Sequence, residues 1–147
     1  MQRSHPETAG CYADQARFVL TDTGRHGFPP PAEIPPLMGD FAAWLETAAD
    51  TPETAFTAHR RPVEVHPFND GNGRTARLLM NLILIRAGYP PVAVRPEDRP
   101  AYIRALQEAQ SDRGAESFNR LLHERLDATF DEYLSAAKQA LSGRGSR

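Results

Sequence analysis

Twelve consecutive residues carry most of the chemistry in this chain: His66-Pro67-Phe68-Asn69-Asp70-Gly71-Asn72-Gly73-Arg74-Thr75-Ala76-Arg77. Imidazole titrates near neutrality, so His66 can take a proton from an incoming hydroxyl. Asp70 offers the kind of carboxylate that holds Mg²⁺ together with substrate phosphates. Gly71 and Gly73 let the backbone bend and come close to a ligand. With the Asn72 amide, that backbone can cradle phosphates. Arg74 and Arg77 are three apart, so a helix puts them on one face. Their planar guanidiniums suit the outer phosphates of a polyphosphate. Such a set activates a hydroxyl against a metal-bound polyphosphate, mainly by positioning and electrostatics. Singly, each residue has a plainer reading. His66 alone is a capped structural histidine, Asp70 a turn residue, and the two arginines solvated first-turn residues. The ordered set is what points to a site.

The elements on either side must hold this loop. An apolar run follows it, Leu78, Leu79, Met80, Leu82, Ile83, Leu84 and Ile85, and Gly88 with Pro90-Pro91 stops that run. This reads as a loop feeding a buried helix whose first N–H groups are unpaired and favour an anion. Upstream, Thr51-Pro52 makes a helix start, a cap residue followed by proline in the first turn. That helix runs past Phe56 and His59 toward the motif, with His59 read as a structural contact. Pro62 deletes a backbone bond inside it, at roughly 3 kcal/mol, and predicts a kink or an early end directly before the loop. Further upstream, Leu37, Phe41, Trp44, Leu45 and Ala48 recur at helical spacing, with Trp44 as a core anchor. Pro29-Pro30-Pro31 and Pro35-Pro36 form a stiff connector. Arg17 to Thr21 reads as a short strand, and Asp22, Gly24 and Gly27 supply the turn of a hairpin. Downstream, Val92-Ala93-Val94 is extended. One helix follows from about Pro96 to Gln110 and another from about Ser117, with Leu126, Phe130, Tyr133, Leu134, Ala137 and Leu141 on one broad face.

The expected fold class is therefore all-α, a compact helical domain over residues 11–141 with a short β-hairpin near its N-terminus. Residues 1–10 are an irregular lead-in, and 142–147 a polar Gly/Arg tail expected to be disordered. The 147 residues suffice for one domain with a modest core. Hydrophobic content of 40% with 24% charged residues fits a globular chain rather than a disordered one. A net charge of −2 leaves no footprint for nucleic acid or an anionic membrane. Cys11 is the single cysteine, so no internal disulfide forms and a reducing compartment is the default. No signal peptide is visible and the longest apolar run is too short to span a bilayer. The cytoplasm is the expected location, with delivery into another cell left open.

The twelve residues resemble the signature of the Fic family, His-x-Phe-x-(Asp/Glu)-Gly-Asn-Gly-Arg-x-x-Arg, with every defining position filled. The likeness continues through Leu78-Leu79-Met80-Asn81-Leu82 and Arg86-Ala87-Gly88-Tyr89-Pro90-Pro91, and more weakly covers about Gly10 to Leu134. It implies a Fic fold and transfer of AMP from Mg-ATP to a protein hydroxyl. On that resemblance His66 is the general base, Asp70 places Mg²⁺, and Phe68 anchors the loop. Gly71, Asn72, Gly73 and Arg74 hold the α- and β-phosphates, Arg77 reaches the γ-phosphate, and pyrophosphate leaves. The hairpin becomes a flap on which the target segment docks, at about Phe18 to Thr21, through main-chain hydrogen bonds.

Three features depart from the family pattern. More helix usually precedes residue 10, so the chain looks short at its N-terminus. A Tyr and an Asn seven residues apart commonly line the adenine, and here Ile103 and Gln110 stand there, with Tyr102 as a neighbour that can still line the pocket. The inhibitory (Ser/Thr)-x-x-x-Glu segment is absent, which implies a separate antitoxin-like inhibitor, a missing N-terminal region, or a constitutive enzyme. The alternatives are a pseudoenzyme or partner-binding module, a Doc-like kinase, and a transferase using another nucleotide donor. Gly73 argues against the kinase, since that branch carries Lys at this position.

Overall fold

A two-stranded hairpin and five helices, in that order, make up the chain in its computed structural model, which describes residues 10–21, 24–110 and 114–144. The hairpin pairs β1 (Phe18–Thr21) with β2 (Gly24–Gly27) antiparallel, Phe18 opposite Gly27 and Thr21 opposite Gly24. The expected turn residue Asp22 lies outside the described residues. The proline connector passes through a short 3₁₀ turn, Pro31–Glu33, into α1 (Ile34–Thr47). α2 (Pro52–Val65) starts as its sequence demands, with Thr51 Oγ1 accepting the Thr54 N–H at 3.1 Å and Pro52 in the first turn. The motif then leads into α3 (Asn72–Arg86). A 3₁₀ turn, Pro96–Asp98, opens α4 (Arg99–Gln110), and α5 (Glu116–Arg144) closes the chain. The all-α fold with a short N-terminal hairpin is thus present.

α2 and α3 pack along one another, and α4 and α5 close over them. Phe56, Met80, Leu84, Phe118 and Leu122 are fully buried where these four helices meet. α3 stops where Gly88, at φ 83°, takes the left-handed turn that Cβ-bearing residues avoid. The Tyr89 N–H reaches back to the Leu84 carbonyl at 2.8 Å and the Gly88 N–H to Ile85 at 3.0 Å, satisfying carbonyls the helix leaves open. The extended piece after it is held by one side chain. Asn81 accepts from the Val92 N–H at 2.8 Å and donates to the Val92 carbonyl at 3.1 Å.

Three expectations are adjusted. α2 does not end at Pro62. It runs on to Val65, because His66 still donates its N–H to the Pro62 carbonyl at 2.8 Å. The interruption comes one turn later, at the first residue of the motif. The tail expected from residue 142 begins as helix, since α5 continues to Arg144 and the Ser142 hydroxyl bonds back to the Lys138 and Gln139 carbonyls. Residues 145–147 lie outside the described residues. The apolar face of α5 is buried at Leu126 and half-buried at Phe130, but Tyr133, Leu134 and Leu141 are exposed. The cause is length: at 1.5 Å per residue, the 29 residues of α5 far outrun the 12 of α4.

Candidate functional site

His66 caps α2 in the left-handed conformation, φ 55° and ψ 53°, the one non-glycine at positive φ among the described residues. That backbone costs an L-residue roughly 1–2 kcal/mol, so its surroundings must hold it there. They do so from several sides. Arg17, just before β1, donates one guanidinium nitrogen to the His66 carbonyl and another to the Phe68 carbonyl. The Ala13 N–H donates to the Pro67 carbonyl at 2.8 Å, and Tyr12 pairs with Phe68 in an isolated antiparallel bridge. Inside the loop, Asn72 closes a ring, accepting from the Phe68 N–H at 2.8 Å and donating to the Phe68 carbonyl at 2.7 Å.

The imidazole is fixed as well. Its Nδ1 lies 3.3 Å from the Val63 carbonyl, which makes Nδ1 the protonated nitrogen and leaves the lone pair on Nε2. Phe28, the residue after β2, stacks on the ring with centroids 4.0 Å apart and planes 17° apart. The Phe28 N–H is itself bonded to the Arg17 carbonyl at 3.0 Å. Burial pushes the His66 pKa below its usual value and the Arg17 charge adds to this, against the opposite pull of the Val63 carbonyl.

The anion end is the start of α3. Gly71, at φ 87°, is its N-cap, and the first intrahelical bond is Thr75 N–H to the Gly71 carbonyl at 2.9 Å. The N–H groups of Asn72, Gly73 and Arg74 precede that bond and so have no partner inside the helix. Asp70 accepts from the Gly71 N–H at 2.6 Å and from Arg74 at 2.8 Å. The Asp70–Arg74 pair is exposed at both ends, a contact of little strength that exchanges readily. Asp70 is the only carboxylate in the motif, and among the described residues no group of three His, Cys, Asp or Glu could hold a metal unaided. One carboxylate fits Mg²⁺, which binds through one or two carboxylates and takes its remaining ligands from phosphates and water.

Arg77 stands between two openings. A cavity of about 340 Å³ between α3 and α4 has Arg77, Arg95, Arg99, Tyr102 and Ile103 on its walls. A groove of about 490 Å³ on the other side is lined by Arg74, Arg77, Asn81 and the extended piece Val92–Val94. Tyr102 is almost wholly buried, and its hydroxyl faces Arg77 and His59.

His66, Asp70, Gly71, Asn72, Gly73, Arg74 and Arg77 are therefore brought together as the sequence predicts. Two assignments shift. The Asn72 side chain is committed to Phe68 and only 4% exposed, so its contribution to an anion is the backbone N–H. Tyr102 lines the cavity, but its polar atom is turned into the protein. Gln110 ends α4, about 10 Å along the axis from Ile103, and is not among the residues lining either opening; its side chain lies outside the described residues. Sequence reasoning missed Arg17 and Phe28. Arg17 was visible only as the first residue of a strand and Phe28 only as the residue ahead of three prolines, and neither pattern reports a contact across some forty to fifty positions.

Comparison with known proteins agrees with this geometry. The model of the Fic/DOC family matches residues 1–84. A protein adenylyltransferase Fic from Nematostella vectensis is 39% identical over 139 residues, which cover 90% of this chain and 31% of that protein. One from Aedes aegypti is 39% identical over 120 residues, 79% of this chain and 24% of that protein. This chain thus spans about a third or less of the length of these relatives. A Fic domain-containing signalling protein from Bacteroides thetaiotaomicron superposes with a TM-score of 0.81 at 34% identity, over 88% of this chain and 56% of that one. Fic-1 from C. elegans gives 0.72 at 34% identity, over 88% and 39%. With the motif complete, its loop closed onto the start of a buried helix, and the helical fold shared with these structures, the chain belongs to the Fic/DOC family.

Proposed function

We propose that this chain transfers AMP from Mg-ATP to a hydroxyl group of a protein, with His66 as general base. The observation that carries this reading is the fixed tautomer of His66: Nδ1 is tied to Val63, and Nε2 is left free beside the open N–H groups of α3. The names of the curated relatives support the reaction class. An acceptor hydroxyl gives its proton to Nε2 while its oxygen attacks the α-phosphorus, and the bond to the pyrophosphate leaving group breaks. Magnesium, when bound, neutralises phosphate charge, and Asp70 is the residue to hold it. The N–H groups of Asn72, Gly73 and Arg74 face the negative charge on the phosphates, and Arg77 takes the terminal one.

The test uses Mg²⁺ and ATP labelled at either the α- or the γ-phosphate, with the chain alone and in a lysate. Label on protein from the α-phosphate is the expected result, and His66→Ala should abolish it while leaving the helical signal intact. Label from the γ-phosphate alone would make the protein a kinase. No label from either would leave a partner-binding module. Ile103 on the cavity wall offers a base no hydrogen bond, which favours a tolerant donor site, so competition by the other nucleoside triphosphates belongs in the same assay.

The hairpin suits an extended target segment. Its two strands pair only with each other among the described residues, and Phe18, Val19 and Leu20 are exposed. An inhibitor acting in trans would place a carboxylate on Arg77, and a complex lacking that contact would refute such a partner.

A further inference from the structure

Behind Arg77 lies a buried polar chain that the reaction outlined above does not use. His59, on α2, is fully buried, with its Nε2 2.8 Å from the Tyr102 hydroxyl on α4. Phe118 of α5 packs against both rings, with centroids 5.4 Å from His59 and 6.0 Å from Tyr102. The Arg77 guanidinium donates to the Tyr102 hydroxyl oxygen from the other side. With its oxygen accepting from Arg77, Tyr102 gives its own proton to His59 Nε2, and the histidine carries its hydrogen on Nδ1. That Nδ1 is buried and has no partner. A fully buried imidazole with one nitrogen unsatisfied is costly to keep, and an apolar residue would fill the space more cheaply. The two groups face one solvent-accessible object, the guanidinium of Arg77, which lines both openings.

We infer that His59 and Tyr102 are positioning residues that aim Arg77 at the terminal phosphate of the donor. An arginine side chain has several rotatable bonds, and holding its fork in place in advance lowers the ordering cost of binding. On this account Tyr102 contributes to discrimination by phosphate number and not by base. The inference rests on the nucleotide reading above, and its test separates the two.

The affinities of ATP, ADP and AMP are measured by calorimetry for the wild-type chain and for Tyr102→Phe, which keeps the ring and removes the hydroxyl. Wild type should bind ATP more tightly than AMP, and Tyr102→Phe should reduce that ratio roughly tenfold, the scale of one hydrogen bond to a charged group, with AMP affinity unchanged. In an Arg77→Ala background the same substitution should leave the ratio where Arg77→Ala alone puts it, because the tyrosine acts through the arginine. An unchanged ratio in Tyr102→Phe, or an equal further drop in the Arg77→Ala background, overturns this inference while the nucleotide reading stands. A wild-type chain that binds none of the three nucleotides overturns both.

Discussion

At the scale of single residues, the site depends on side chains that never touch a ligand. Asn72 sits in a position where phosphate binding is the natural expectation, yet its amide is closed onto the Phe68 backbone. Asn72→Ala would leave both backbone groups of Phe68 without their partner in a half-buried loop, at a cost on the order of 2 kcal/mol. Urea denaturation should show this as a lower midpoint with an unchanged slope; an unshifted midpoint would mean that the loop keeps its shape unaided. The motif residues themselves were legible in the sequence, because they are contiguous and their spacing carries the chemistry. The distinction between an asparagine that binds and one that braces was not, since both use the same amide at the same position. Arg17 was illegible for a different reason. Its partners are carbonyls, which every residue has, so no residue type marks where the guanidinium goes.

At the scale of elements, the hairpin and the catalytic loop are one mechanical unit. Arg17 precedes β1 and Phe28 follows β2, and the two meet His66 by hydrogen bond and by stacking respectively. Phe28 also keeps water from one face of the imidazole, and burial is the main reason the His66 pKa is lowered. A general base works in its neutral form, so activity should rise with pH through a limb whose midpoint lies below 6.5. Phe28→Ala re-exposes the ring, lets the pKa climb back, and should move that limb to higher pH while reducing the maximal rate. A pH profile of the two chains decides it, and coincident limbs would remove Phe28 from the account. The existence of the hairpin and the order of helices could be read from turn residues and apolar spacing. The passage of α2 through Pro62 could not, because tertiary packing of α2 on α3 outweighs a single missing backbone bond. The exposed second half of α5 escaped as well: amphipathic spacing shows which residues share a face but not whether a neighbour exists to cover them.

At the scale of the whole molecule, the buried polar chain ties stability to acidity. His59 is held neutral, with its pKa lowered by burial, and by the nearby Arg77, to about 4 against the usual 6.5. Between those values the unfolded chain binds a proton that the folded chain refuses. Stability should therefore fall as pH drops from about 6.5 toward 4 and lose no more to this group below that, a total on the order of 3 kcal/mol. Denaturation midpoints across that window should lack this component in His59→Phe; parallel curves would show that His59 is protonated in the fold. The Arg17 grip has another consequence, in time rather than in energy. Its bonds to His66 and Phe68 span 49 and 51 positions, whereas α2 and α3 are joined by residues 66–71 alone. Short closures form before long ones. During refolding the helix pair should assemble first, around a loop that is still shapeless, and helical signal should return ahead of nucleotide binding. Newly made chain would pass through a stage that is folded by spectroscopy and inert by assay.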